Sequence, residues 1–152
     1  MDDLIFRTAT LADLPAIIGM LADDELGRLR EVVGEVPDPR YVAAFHAIEV
    51  DPNHLLVVAV QEGAPVGTLQ LTFIPGLAQT GAWRGQIEAV RVARSLRGQG
   101  IGKKMFDWAI DECRSRGCRF VQLTTDKTRV DAHRFYENLG FVSTHEGYKL
   151  IL

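Results

Sequence analysis

Arg97-Gly98-Gln99-Gly100-Ile101-Gly102, followed by Lys103 and Lys104, is a stretch suited to holding an anion. It follows the β-branched run Val90-Arg91-Val92 and precedes a strongly periodic helical pattern, so backbone N–H groups at a helix start are left without internal acceptors. The helix dipole adds partial positive charge at the same end, and glycines let an anion come close to the backbone. Phosphate is the ligand chemistry this suits. Two better-known phosphate motifs fail on spacing. A P-loop needs glycine five positions before its Gly-Lys pair and Ser or Thr after the lysine, and Arg97 and Lys104 stand there. A dinucleotide fingerprint starting at Gly98 or Gly100 needs glycine where the chain has Lys103 or Met105.

The elements that must hold this turn can be read from periodicity. Residues 4–7 form a first strand; Thr10 then caps a helix to about Ala22, with Asp13 three positions on and apolar Leu14, Ile17, Ile18 and Leu21 on one face. Residues 23–36 are charged and ambiguous, and a second helix covers Tyr41, Ala44, Phe45 and Ile48. Residues 55–61 and 65–73 read as an antiparallel hairpin, with a loop over 74–81. A strand over 82–92 is long enough to expect a bulge. The helix after Gly100 runs to Gly117, a strand covers 120–125, and Ala132, Phe135, Tyr136 and Leu139 define a short helix ended by Gly140. Residues 141–142 and 148–152 complete the sheet.

A chain of 152 residues with 47% hydrophobic content makes one domain, expected over 1–152. The net charge of −3 and pI near 5.8 argue against a nucleic-acid partner, as does the lack of a helix-turn-helix pattern. The basic residues Arg91, Arg94, Arg97, Lys103 and Lys104 are better explained by a phosphate-bearing ligand. No apolar run reaches membrane-span length, and no membrane partner is expected. The acidic start, Met1-Asp2-Asp3-Leu4, has no basic region before an apolar core, so no secretory signal is expected and the cytoplasm is the expected location. Cys113, Cys118 and the four histidines show no metal spacing, so no metal is expected and reduced thiols are.

Arg97, two residues, Gly100, one residue and Gly102, together with the segment His133-Arg134-Phe135-Tyr136-Glu137-Asn138-Leu139-Gly140-Phe141, resemble the Gcn5-related N-acetyltransferase family. The element order β-α-α-β-β-β-α-β-α-β-β is similar to that fold over almost the whole chain. The resemblance implies an α/β (mixed α+β) fold with a mainly antiparallel sheet of about six to seven strands and about four helices.

The same resemblance implies acetyl-CoA as donor and a small-molecule or peptide amine as acceptor, with direct transfer in a ternary complex. It assigns the pyrophosphate to the amides of Gly98, Gln99, Gly100, Ile101 and Gly102 and to Arg97 and Lys103. The pantetheine arm would pair with the backbone at Val90, Arg91 and Val92. Glu88 stands where the family often places a general base, between sheet and cofactor; the other reading is an ordinary strand carboxylate on a solvated face with Gln86. Tyr136 matches a tyrosine that protonates the departing thiolate, and a core aromatic beside Phe135 is the alternative. The N–H of Val92 or its neighbour, freed by a bulge, would face the developing oxyanion. A homodimer is common among proteins of this pattern.

Two positions depart from the family: Arg94 replaces a frequent proline and Arg129 a frequent asparagine that touches the pantetheine arm. The second departure supports an alternative, an acyl-CoA-sensing module with little catalysis. Asp23-Asp24-Glu25 lies in the region that covers the acceptor in the family; it reads either as a lure for a cationic amine or as a solvated helix end balanced by Arg28 and Arg30.

Overall fold

Five strands, ordered β1-β2-β3-β4-β5 across one sheet, arise from the apolar alternation of residues 5–92 and a short return after the long helix. The computed structural model describes residues 3–152. Two compact units are present, one running through Gln122 and the other covering Leu123–Leu152.

The first unit begins with β1 (Ile5–Thr8), then a single 3-10 turn (Leu11–Asp13) leading into α1 (Leu14–Ala22), α2 (Gly27–Arg30) and α3 (Pro39–Val50). The hairpin β2 (His54–Gln61) and β3 (Ala64–Pro75) follows, then the four-residue α4 (Ala78–Gly81), β4 (Trp83–Val92), a second 3-10 turn (Arg94–Leu96), α5 (Ile101–Ser115) and β5 (Phe120–Gln122). Neighbouring strands are antiparallel except β4 and β5, which are parallel. The sheet is therefore mixed and mainly antiparallel.

Side chains alternate across the strands, so each face has its own cover. Val58 packs with Leu14, Ile17 and Ile18 of α1 and Phe45 of α3, with Leu56 and Val60 alongside. On the opposite face α5 lies so close that a Cβ on Gly67 would come within 2.7 Å of the Met105 sulfur, and Trp108 stacks on Phe6 at 5.5 Å. Leu69, Leu71, Met105 and Phe106 are fully buried, each contributing about 1.5–3 kcal/mol of apolar transfer. Thr68 is buried too, but its hydroxyl donates to the Val57 carbonyl at 3.0 Å, which removes the penalty for an unpaired polar group.

Asp13 fixes the start of α1. Its carboxylate receives the Arg7 guanidinium at 2.7 and 2.9 Å and the Thr10 N–H at 2.7 Å. The arginine, opposed by desolvation and helped by Thr10, pulls the Asp13 pKa down to about 2. The Thr10–Asp13 capping pattern read from the sequence is thus formed.

The second unit contains α6 (Val130–Asn138). Gly140, at φ +98°, lies past its end in the left-handed region. Its N–H donates to the Glu137 carbonyl at 3.0 Å, and the Phe141 N–H to the Tyr136 carbonyl at 3.0 Å. These are the two bonds of a Schellman ending, and the rings of Tyr136 and Phe141 meet edge to face at 6.3 Å. The Leu-Gly-Phe segment therefore both stops the helix and orients Tyr136. A glycine-mediated ending of the same kind closes α5 through Gly117, Arg114, Cys113 and Cys118.

The expected six to seven strands are corrected to five among the described residues. Residues 141–142 and 148–152 form no strand, and the strand expected over 120–125 stops at Gln122. Among the described residues there are six helices; α2 and α4 are four-residue turns, and the remaining four, α1, α3, α5 and α6, match the expected number.

Candidate active site

β4 is bulged where it approaches the glycine turn. Thr68 pairs with Arg91 and Gln70 with Glu88, so Ala89 and Val90 together stand opposite Leu69. Ala89 takes φ +52°, a left-handed conformation that costs a side-chain-bearing residue about 1–2 kcal/mol. Strain of this kind persists only where surrounding structure enforces it, and it clusters at functional sites.

Within the first unit the outer edge of β4 is open beyond Gln86, where β5 ends. Ala93 donates its N–H to the Val66 carbonyl at 2.8 Å, and backbone groups alternate across an antiparallel ladder. Val92 therefore turns its backbone polar groups away from β3. On that outer edge β5 pairs only with Arg84, Gly85 and Gln86, so within the first unit no strand continues the ladder along residues 87–92. The Val92 carbonyl accepts from Arg97 Nε at 3.2 Å, and the Val90 carbonyl from the Arg91 guanidinium at 2.9 Å.

Beyond Val92 the chain makes a 3-10 turn and enters α5. Gly98 and Gly100 have φ +79° and +81°, and Gly100 is the N-cap. It supplies no side-chain cap, so the leading amides of α5, at Ile101, Gly102 and Lys103, have no intrahelical acceptor. Their dipole end favours an anion. Gly98, Gln99 and Gly100 are exposed, whereas Ile101 is buried and anchors the helix to the sheet. Lys103 is exposed and pairs with Asp107 at 2.7 Å, one helical turn along.

Glu88 precedes the bulge and accepts from Gln86 Nε2 at 2.8 Å. Glu88 is exposed on the strand, and Gln86 beside it is half-buried. Tyr136 belongs to the second unit, half-buried on α6 with Phe135 at 5.6 Å and Phe141 at 6.3 Å.

The arginines of this region have partners that spacing along the chain did not suggest. Asp23, just after α1, receives the Arg94 fork at 2.7 and 3.1 Å. Arg97 donates to the Asp23 backbone carbonyl at 3.0 Å and lies 3.7 Å from its carboxylate. Arg91 pairs with Asp24 at 3.3 Å in a partly buried site. Arg94, and then the charge of Arg97, hold the Asp23 carboxyl below its usual range. Asp23 thus sits at the solvent-facing end of α1, as one of the two readings had it, but the arginines that balance it and Asp24 are Arg91, Arg94 and Arg97, which tie the segment after α1 to the glycine turn. The available signal was charge matching between the Asp23-Asp24 doublet and arginines spaced by three at 91, 94 and 97.

A model of the acetyltransferase (GNAT) family matches residues 20–141, and the chain belongs to that family. Members of the family use acetyl-CoA. Over 101 residues the chain is 36% identical to the aminoalkylphosphonate N-acetyltransferase of Salmonella typhimurium, a match covering 66% of this chain and 65% of that protein. The structure of a Bacillus halodurans protein described as a transcriptional regulator superposes with TM-score 0.95 and 48% identity, covering 99% of this chain and 100% of that one. Glucosamine-6-phosphate N-acetyltransferase from Arabidopsis thaliana superposes with TM-score 0.79 and 25% identity over 98% of each chain. Among the described residues no group of side chains is arranged to hold a metal ion, and no helix is long and apolar enough to cross a membrane.

Proposed function

We propose that this protein is an N-acetyltransferase that moves the acetyl group of acetyl-CoA to a primary amine in one direct transfer, with residues 1–152 acting as a single domain. The observation that carries this reading is the β4 edge beside Glu88, which runs on past the end of β5, carries the bulge at Ala89 and Val90 and leads into the uncapped start of α5. The glycine turn suits the pyrophosphate, through the amides of residues 98–102 with Arg97 and Lys103 adding charge. The outer edge of β4 along residues 90–92, past the end of β5, suits the amide-bearing pantetheine arm, which would add at Val90, Arg91 and Val92 as a strand does, in place of the guanidinium contacts on the Val90 and Val92 carbonyls.

In this scheme the acceptor nitrogen attacks the thioester carbonyl carbon, the C–N bond forms and the C–S bond breaks. Glu88 accepts the proton released by nitrogen, and the Tyr136 phenol gives its proton to the departing thiolate; both groups then re-equilibrate with solvent. The outward-turned Val92 N–H supports the carbonyl oxygen as charge builds on it. The cytoplasmic setting and the homodimer belong to the same proposal, and sedimentation equilibrium tests the latter.

Thermal unfolding with acetyl-CoA is the first test, because a ligand held only by the native state raises the midpoint. No shift at saturating acetyl-CoA would overturn the donor assignment. Thiol release across polyamines, aminoglycosides, amino acids, aminophosphonates, amino-sugar phosphates and peptide N-termini then identifies the acceptor. Glu88→Gln and Tyr136→Phe should each slow the best reaction; an unchanged rate removes that residue from its role.

A second reading is a cofactor-responsive regulatory module, favoured by the relative of 48% identity described as a transcriptional regulator and by Arg129 at the family's asparagine position. Stabilisation by acetyl-CoA without thiol release for any amine selects it.

A further inference from the structure

On the face of the sheet that carries Glu88 runs a short line of side-chain amides. Gln122 of β5 is the register partner of Gln86 in β4, and Gln122 Nε2 donates to Gln86 Oε1 at 2.9 Å. Gln86 Nε2 in turn donates to Glu88 Oε1 at 2.8 Å. Gln86 and Gln122 are half-buried, whereas Glu88 is exposed. An ionised carboxylate only accepts hydrogen bonds. Gln86 must therefore present its NH2 to Glu88, which turns its carbonyl to Gln122 and obliges Gln122 to donate. One polarity satisfies the whole line.

We propose that Gln86 and Gln122 are positioning residues that hold the Glu88 carboxylate beside the bulge. This rests on the reading of Glu88 as the general base. An exposed glutamate samples many rotamers, and ordering a long side chain costs up to about 2 kcal/mol. The amide line meets part of that cost before substrate arrives, because β5 fixes Gln122 and Gln122 fixes the orientation of Gln86. It also explains why β5 pairs only with Arg84, Gly85 and Gln86: the ladder extends far enough to place Gln122 opposite Gln86 and ends before the edge that the donor would use.

The polarity supplies a test that a merely structural role would not pass. Gln122→Glu is nearly isosteric but can only accept, so it draws the Gln86 NH2 to itself and turns the Gln86 carbonyl toward Glu88. Gln122→Lys can only donate and preserves the required direction. With the fastest amine of the acceptor panel, Gln122→Glu should lower kcat by about tenfold to a hundredfold while leaving KM for acetyl-CoA unchanged. Gln122→Lys should stay within about twofold of the wild type, a change worth only about 0.4 kcal/mol. Gln86→Met should reproduce the loss, and adding Gln122→Glu to it should cost nothing further, because the second residue acts only through the first. Equal rates for Gln122→Glu and Gln122→Lys, or additive losses in the double variant, overturn the proposal; if a Gln122 variant fails to fold, Gln86→Met alone decides, and an unchanged kcat there overturns the proposal. Glu88→Gln keeps the two layers separate. An unchanged rate there removes the base assignment and the relay with it, whereas a large loss there with no polarity effect at Gln122 removes the relay alone.

Discussion

β4 has two halves made of similar residues but serving different ends. Along Arg84, Gly85 and Gln86 it is paired on both sides, by β3 and β5, and Gly85 is pressed against Cys113 of α5. Along residues 87–92 it keeps only β3, turns left-handed at Ala89 and leaves Val92 facing outward. The difference teaches that a strand edge opens where its ladder stops, and that the stop is set by a three-residue β5, while the bulge at Ala89 and Val90 lies in the pairing with β3. Two carboxylates repeat the contrast: Asp13 is enclosed and saturated by Arg7 and Thr10, whereas Glu88 is exposed and held by one amide. Closed features should govern stability and open ones turnover.

That contrast can be broken most forcefully at its open end. Glu88→Gln should cut kcat about a hundredfold or more with the melting midpoint unmoved; a large loss of stability instead would place Glu88 with the closed features. On the closed side, the Asp13 pKa is depressed, so its stabilisation is present above about pH 4 and is lost as pH falls toward 2. Asp13→Asn should cost about 2 kcal/mol at neutral pH and flatten the acid limb of a denaturation series between those values. Gly85→Ala pushes a methyl into Cys113 and should cost about 1–3 kcal/mol of stability, with kcat per folded molecule unchanged. Gly100→Ala meets no neighbouring atom but must hold φ +81°; about 1–2 kcal/mol of strain should appear in the melt, together with a weaker Kd for acetyl-CoA by calorimetry. Ala89→Gly should do least, because relief of left-handed strain is offset by glycine's conformational entropy, leaving stability within about 1 kcal/mol. A large gain there would show the bulge to be forced rather than supported.

Much of the fold was legible because its signals are local. Thr10 with Asp13, the hairpin turn, Gly117 and Gly140 each act within a few residues, and all four formed, with the turn tightened from residues 62–64 to Glu62 and Gly63 because Ala64 pairs with Gln61. The bulge was anticipated from strand length alone, and its position came from pairing with β3, which no local pattern encodes. The two extra strands failed for a related reason: Tyr148, Leu150 and Ile151 have strand-forming residue types, but a strand needs a partner, and residues 141–152 have none in the described ladders. The Asp23 pairs and the Gln86–Gln122 line join residues 71 and 36 positions apart. Such contacts depend on the sheet being assembled first, so only charge and amide complementarity hinted at them.

Cys113 turns the closed half of β4 into a reporter. Its side chain is 1% exposed, and burial, with Cys118 beside it, pushes its pKa up to about 12. Cys118 is only half-buried. A thiol reagent added to the folded protein should therefore mark Cys118 from the closed state, but reach Cys113 only in molecules where α5 has lifted from β4. The two labelling rates, read by mass spectrometry, would time the opening of that seam without any introduced probe.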